Sequence, residues 1–418
     1  MLAADSMASF VLIAAACQTV PVTTPPADRR LDLLSLATFV GLGLPDGMLG
    51  TAWPAMRESL HAPIGALGLV LLASTAGSVV ITTFVGRVLR RTGVAALLVA
   101  GLSCAAVAAA GFALAPVFGV VLGVAVLFGM AAGALDGGLN TAIGLSGRNR
   151  LLNLLHGAYG VGTAFGPLVV TIAIVTGSWR PAYLVLLVVD LAMAVLWVLQ
   201  RRSAQLRTPP APAAPAPAKP APGDTGTPAR QSYRGAVIAG IAVFFVYTGL
   251  EVAAGQWETS FGRGHLHLSA TEAGLATFGY WAALTVVRIT FGLLRHPPHS
   301  QSIVRGGGLV ALLATALIWW QPDTTATVLG FVVLGGALAG MFPALIALTP
   351  TRIGPERAQH VIAWQVGGAA AGGAGISALV GLLIGTSGLA VLGPALLVLA
   401  LLLIGVELTL SRFAPARA

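Results

Sequence analysis

The sequence predicts an all-α membrane protein: twelve transmembrane helices in two pseudo-symmetric halves of six. Three observations carry this. Of the 418 residues, 56% are hydrophobic and only 9% charged, where soluble domains carry about 25% charged residues. Apolar runs of about 20 residues, the length that crosses a hydrocarbon core of about 30 Å, recur twelve times. The arginines between them fall almost wholly on alternate loops. A disordered chain, a disulfide scaffold and a conventional cytosolic enzyme are excluded. A barrel is unsupported, because it would show alternating segments of about ten residues.

The spans fall near 31–53, 64–85, 94–114, 117–145, 151–176 and 181–200, then 235–257, 268–292, 303–320, 326–348, 358–384 and 388–410. The 53 glycines suit helices packed closely in lipid. With the N-terminus inside, 19 of the 23 basic residues lie in cytoplasmic segments; Arg57, Arg180 and Arg263 lie outside, and Arg288 within a span. The net charge of +9 is thus an orientation signal rather than a nucleic-acid footprint. Residues 1–30 read as a tail, since Met7 to Val20 is short for a span and lacks the positive start of a secretory signal. Residues 31–200 form the first bundle and 235–411 the second. Between them, 201–234 holds eight prolines from Pro209 to Pro228 interleaved with alanine, a solvated linker that cannot bury a core. Residues 412–418 are a second tail.

The halves look duplicated. Span one carries Asp46 and Trp53, span seven Glu251 and Trp257; span five carries His156 to Gly162, span eleven Trp364 to Ala371. A parallel duplication places a polar cavity between the halves. An ionisable residue within a span costs about 2.5–3.5 kcal/mol on insertion scales and so faces the bundle interior. Asp46 shares a face with Gly50 and Trp53, and a carboxylate there can load and release a proton. The alternative is a structural acid hydrogen-bonded across helices. Asp136 and Asn140 share a face of span four, and Asn140 offers the donor and acceptor that a hydroxyl requires. His156 can donate to substrate or relay a proton, or tie span five to span four; Tyr159 lies one turn on. Glu251 can bind a cation, pair with Arg288 or contact substrate. Arg288 reads as snorkelling to the membrane face, and Trp53 and Trp257 as interface anchors. Trp364 and Gln365 read as cavity lining. Cys17 and Cys104 make neither a disulfide framework nor a zinc site. With no phosphate loop, metal-ligand histidine pair or nucleophile elbow, no enzyme, metal or cofactor is expected.

The twelve spans, the long central loop and the arginine-rich loop after span two resemble the major facilitator superfamily. Asp46-Gly47, Trp53-Pro54, Asp136 to Asn140, Asn153 to Gly160, Tyr247 to Glu251 and Trp364-Gln365 resemble its fucose–galactose–glucose permease group. The resemblance implies an acid on span one and an acid on span four for proton translocation and sugar recognition; Asp46 and Asp136 occupy those positions. It implies substrate contacts from Asn140, His156, Tyr159, Glu251, Trp364 and Gln365. Arg87, Arg90 and Arg91 fall in the family's gating loop, which here lacks its usual acid. The expectation is a monomeric, proton-coupled importer of a sugar or similar small polar solute, with sodium as the other candidate ion. It would sit in a bacterial inner (plasma) membrane with both termini cytoplasmic. Proton-driven efflux of a drug or natural product is the alternative, suggested by a partial antiporter motif at Gly162, Gly166 and Pro167.

Overall fold

The computed structural model describes residues 29–146, 148–201, 227–294 and 298–412. Most of both tails and of the proline-rich linker lies outside these residues; α1 begins at Arg29, inside the expected tail, and the seventh span's helix begins at Thr227, inside the expected linker. In the N-terminal half, α1 (Arg29–Ser59), α2 (Leu67–Thr92), α3 (Val94–Leu114), α4 (Phe118–Leu145), α5 (Asn149–Val175) and α6 (Arg180–Gln200) follow in order. The C-terminal half holds α7 (Thr227–Gly264), α8 (Ala270–Leu293), α9 (Ser300–Trp320), α10 (Thr324–Leu338), α11 (Met341–Ile353), α12 (Pro355–Ser387) and α13 (Leu392–Ser411). Twelve of these segments are long and apolar enough to span a membrane, α10 and α11 together making one. Helices satisfy every backbone group internally, which lipid demands.

Local chemistry sets several ends. Gly93 takes φ 78° and its N–H reaches Leu89 O at 3.0 Å, a helix stop that a side chain would strain. Arg87, Arg90 and Arg91 therefore stand on the last turns of α2 rather than in a loop, and all three are exposed. Ser269 and Glu272 form a reciprocal capping box that starts α8. Helices α1 and α7 overrun their expected ends by six and seven residues, to Ser59 and Gly264. That corrects the reading of Trp53 and Trp257 as interface anchors. Both are fully buried, and their indole N–H groups donate to Ile64 O (2.8 Å) and Ser377 O (3.0 Å).

The tenth span breaks after Leu338. Pro343 has no N–H to offer the carbonyl of Ala339, four residues back, and here the helix is interrupted rather than merely kinked. That carbonyl is taken instead by Arg288, whose Nε donates to it at 3.0 Å, and Leu338 O lies 3.1 Å from the Tyr247 hydroxyl oxygen.

The same pairs of helices meet in each half. The α1–α5, α2–α4 and α3–α6 contacts have counterparts in α7–α12, α8–α10 and α9–α13. Glycines bring α1 and α5 to backbone contact. A Cβ at Gly43 or Gly47 would strike the carbonyl of Tyr159 or Thr163, and one at Gly162 or Gly166 that of Val40 or Leu44. Close Cα–H···O approaches of this kind recur where helices pack through small residues.

Between the halves, α5 packs along α8 past mid-span, where Thr285 Oγ1 donates to Gly160 O at 2.9 Å, and further contacts gather at the end holding the 59–67, 264–270 and 387–392 connections. There Gly50 lies on Gln256, Gly65 on Gly381 and Gly68 on Ala378, while Thr51 and Thr259 meet at 3.5 Å. One buried core runs through both halves and on to Val304 and Leu410 in the C-terminal half; a second, around Phe39, Leu98 and Trp197, belongs to the N-terminal half alone. Helices α4, α10 and α11 find their packing partners within their own halves. The two bundles are joined at one end and splayed at the other, which holds the start of α1 and the end of α13.

Near the splayed end, Arg352, Gln301 and Glu407 tie α11, α9 and α13 together. Arg352 Nη2 donates to Glu407 Oε1 at 2.7 Å and to Gln301 Oε1 at 3.0 Å, with the ion pair's side chains only 4% and 6% exposed. Arg352→Ala strands the carboxylate and is expected to cost about 3–5 kcal/mol. Thermal unfolding in detergent checks this, and Arg352→Met with Glu407→Leu is expected to recover most of the loss.

Candidate functional site

The chemistry-bearing side chains converge on the seam between the halves, on α1, α4, α5, α7 and α8. Backbone contact between α1 and α5 sets Asp46 opposite Tyr159, whose hydroxyl donates to Asp46 Oδ2. Helix α1 runs unbroken through Pro45 and Pro54. The carbonyl of Asp46 also accepts from Gln256 Nε2 of the other half at 2.7 Å. Asp46 is exposed although it sits mid-span. Its partners are polar groups of α5 and α7, so this exposure is to the space between the halves.

On α4, Asn140 Nδ2 donates to Asp136 Oδ1 at 2.8 Å, one helical turn apart. This amide holds the carboxylate's direction, while Asn140 Oδ1 is buried with no protein partner. Asp136 and His156 are both exposed and lie within electrostatic range of one another, and Arg288 acts on the same imidazole. The His156 ring also meets Phe39 edge-on at 6.1 Å. Tyr159 interacts with the charges of Asp136 and Glu251 as well as Asp46. Groups from the two halves thus share one electrostatic neighbourhood.

The C-terminal side is a pre-paired network. Tyr247 donates to Glu251 Oε2, Arg288 Nη2 lies 3.5 Å from the same oxygen, and Tyr280 donates to Glu251 O at 2.8 Å. Arg288 does not snorkel: the broken tenth span and Glu251 hold it inward. Glu251 is thereby oriented as half of an ion pair, whereas Asp46 and Asp136 face no cation at salt-bridge distance among the described residues.

Trp364 and Gln365 part company. Trp364 is 56% exposed on the half of α12 that leaves the other bundle. Gln365 is buried, accepting from Thr349 Oγ1 at 2.9 Å, with its amide nitrogen against Gly240. It ties α12 to α11 and α7 and does not open on the seam. The structure therefore gathers Asp46, Asp136, Asn140, His156, Tyr159 and Glu251, and sets Gln365 apart. Sequence reasoning missed Gln256 and the hydrogen bond from Tyr280 to the Glu251 backbone, and it read Arg288 as snorkelling while raising its pairing with Glu251 only as one option. Pro343 was the signal for Arg288, since the carbonyl it frees needs a donor.

Twelve spans in two bundles, with polar groups on the seam between them, define a membrane transport protein. The chain belongs to the Major Facilitator Superfamily, whose family model matches residues 34–264. Among solved structures, it is similar to the nucleoside transporter NupG at 14% identity, covering 94% of this chain and all of that one, with a TM-score of 0.67. It is also similar to the human organic anion transporter MFSD10 (TETRAN) at 16% identity, covering 92% and 100%, with a TM-score of 0.63. At these identities the likeness is one of fold. No curated protein matches the chain in sequence.

Proposed function

We propose that the protein takes up a small polar solute bearing hydroxyl groups, a sugar or a nucleoside-like compound, together with a proton. Uptake proceeds by alternating access of the two halves. One observation carries the reading: two carboxylates, Asp46 and Asp136, are open to the space between the halves, each with one hydrogen-bonding neighbour and no cation paired to it. Such a carboxylate accepts a proton, whereas the paired Glu251 is held as an anchor. Asn140, His156 and Tyr159 supply donors and acceptors on the same wall, suited to hydroxyls. Trp364 offers an aromatic face on the splayed side. The arginine distribution favours the cytoplasm for the splayed end, which makes the conformation inward-facing, with the start of α1 and the end of α13 on that side.

The test uses proteoliposomes holding a pH dye, with hexoses, deoxyhexoses, nucleosides and lipophilic cations offered in turn. Luminal acidification on adding one polar solute is expected. Silence with every polar solute, combined with proton-gradient-dependent movement of a lipophilic compound, would overturn uptake in favour of efflux.

A further inference from the structure

Glu258 lies on α7, seven residues after Glu251, in the region where the two halves are joined. It is 3% exposed, and neither carboxylate oxygen has a protein hydrogen-bond partner. The Trp281 ring lies across Gly255, one turn before Glu258, with its Cε2 atom 2.7 Å from where a Cβ would sit on that glycine. The Trp281 indole N–H is itself buried without a partner. An unpaired carboxylate withdrawn from water this completely is costly to keep charged. A bound metal ion would instead call for several converging oxygens.

The charged and titratable surroundings agree. From α8, Tyr280 is close enough to interact electrostatically with Glu258, and its hydroxyl is engaged by Glu251 O. Arg288 is further along α8 and paired to Glu251; Glu272 is committed to its capping box. Helix α10 carries no titratable side chain. Those of α11, α12 and α13 stand toward the splayed end, where Arg352 and Glu407 pair with each other. Helix α1 brings Asp46, held by Tyr159, and Arg57 and Glu58 at its terminus. On α7 itself, Arg263 donates to Leu268 O at 2.8 Å, and among the described residues no cation lies at salt-bridge distance from Glu258.

A route to water lies one residue away. Thr259 and Ser260 line a cavity of about 170 Å³ at the joined end, together with Thr51 of the other half. The Ser260 hydroxyl is buried without a partner. Thr259 bridges the region, contacting Thr277 at 2.7 Å and Thr51 at 3.5 Å. Separation of α1 from α7 would break the second contact and admit water beside Glu258.

We propose that Glu258 is a proton-binding site of the C-terminal half, loaded while the joined end is shut and exchanging with water on that side when it opens. In the exchange the carboxyl O–H bond breaks, its electron pair stays on the carboxylate and the proton leaves on a water molecule. This does not require Asp46 or Asp136 to carry protons, nor the solute to be known.

Infrared difference spectroscopy of the full-length protein in lipid tests it. Wild type minus Glu258→Gln, an isosteric change, is expected to show the C=O stretch of one protonated carboxyl group. The same difference is then taken in a Gly50→Leu background, where the new side chain meets the Gln256 backbone and wedges the joined end apart. Gly68→Leu, against Ala378, is an independent wedge should the first fail to fold. Loss of the protonated band in a wedged background supports the proposal. Absence of the band in the first difference, or its persistence unchanged in a folded wedged protein, overturns it.

Discussion

Asp46→Asn is expected to abolish gradient-driven accumulation while leaving solute exchange running. With one proton per solute, a pH difference of one unit supports about a tenfold concentration ratio, equivalent to about 1.4 kcal/mol. In the variant the ratio should fall to about one. The asparagine still accepts from the Tyr159 hydroxyl, so the site keeps its shape and loses only the titrating oxygen. Counterflow of labelled against unlabelled solute separates the two properties. Uphill accumulation retained by Asp46→Asn would show that Asp46 is not the coupling group.

Gly162→Val should prevent assembly of the N-terminal bundle. The new side chain has no room, because the Val40 carbonyl already occupies the place of its Cβ, and backbone cannot turn aside as a side chain can. Overpacking costs about 1–3 kcal/mol where side chains yield, and more is expected here. Gly375→Val is the control: nothing lies within 4 Å of a Cβ built there. Monodisperse yield on size exclusion should collapse for the first and hold for the second. Equal yields would mean that the α1–α5 contact is not what sets Asp46 opposite Tyr159.

The spans were legible because lipid leaves the backbone little choice, and runs such as 94–114 coincide with α3 end to end. The overruns of α1 and α7 were not, because Arg57, Glu58 and Glu258 lower the hydropathy of their final turns. Ending the seventh span at Trp257 also hid Glu258, although it lies on the Glu251 face at a spacing of seven. Aspartates within spans announced themselves by cost, and the structure gathers Asp46 and Asp136 on the seam. What stayed hidden depended on neighbours remote in sequence. Arg288 turns inward because Ala339 lacks a donor, and Gln365 turns away from the seam because Thr349 and Gly240 receive it.

Gly65 and Gly68 touch no group of the candidate site, and Gly50 touches only the backbone of Gln256. Yet a single methyl on any of them would meet the opposite half: Gln256 O at 2.6 Å, Gly381 O at 2.5 Å or the Ala378 backbone at 2.5 Å. Such a methyl penalises only one of the two conformers, so it changes the fraction of molecules resting in each. A ligand's apparent affinity scales with the competent fraction. Glycine-to-alanine changes at these three codons would therefore retune the balance between capture on one side and release on the other, with every ligand contact intact. Natural variation in this protein's working concentration range has a place to act that no comparison of binding pockets would reveal.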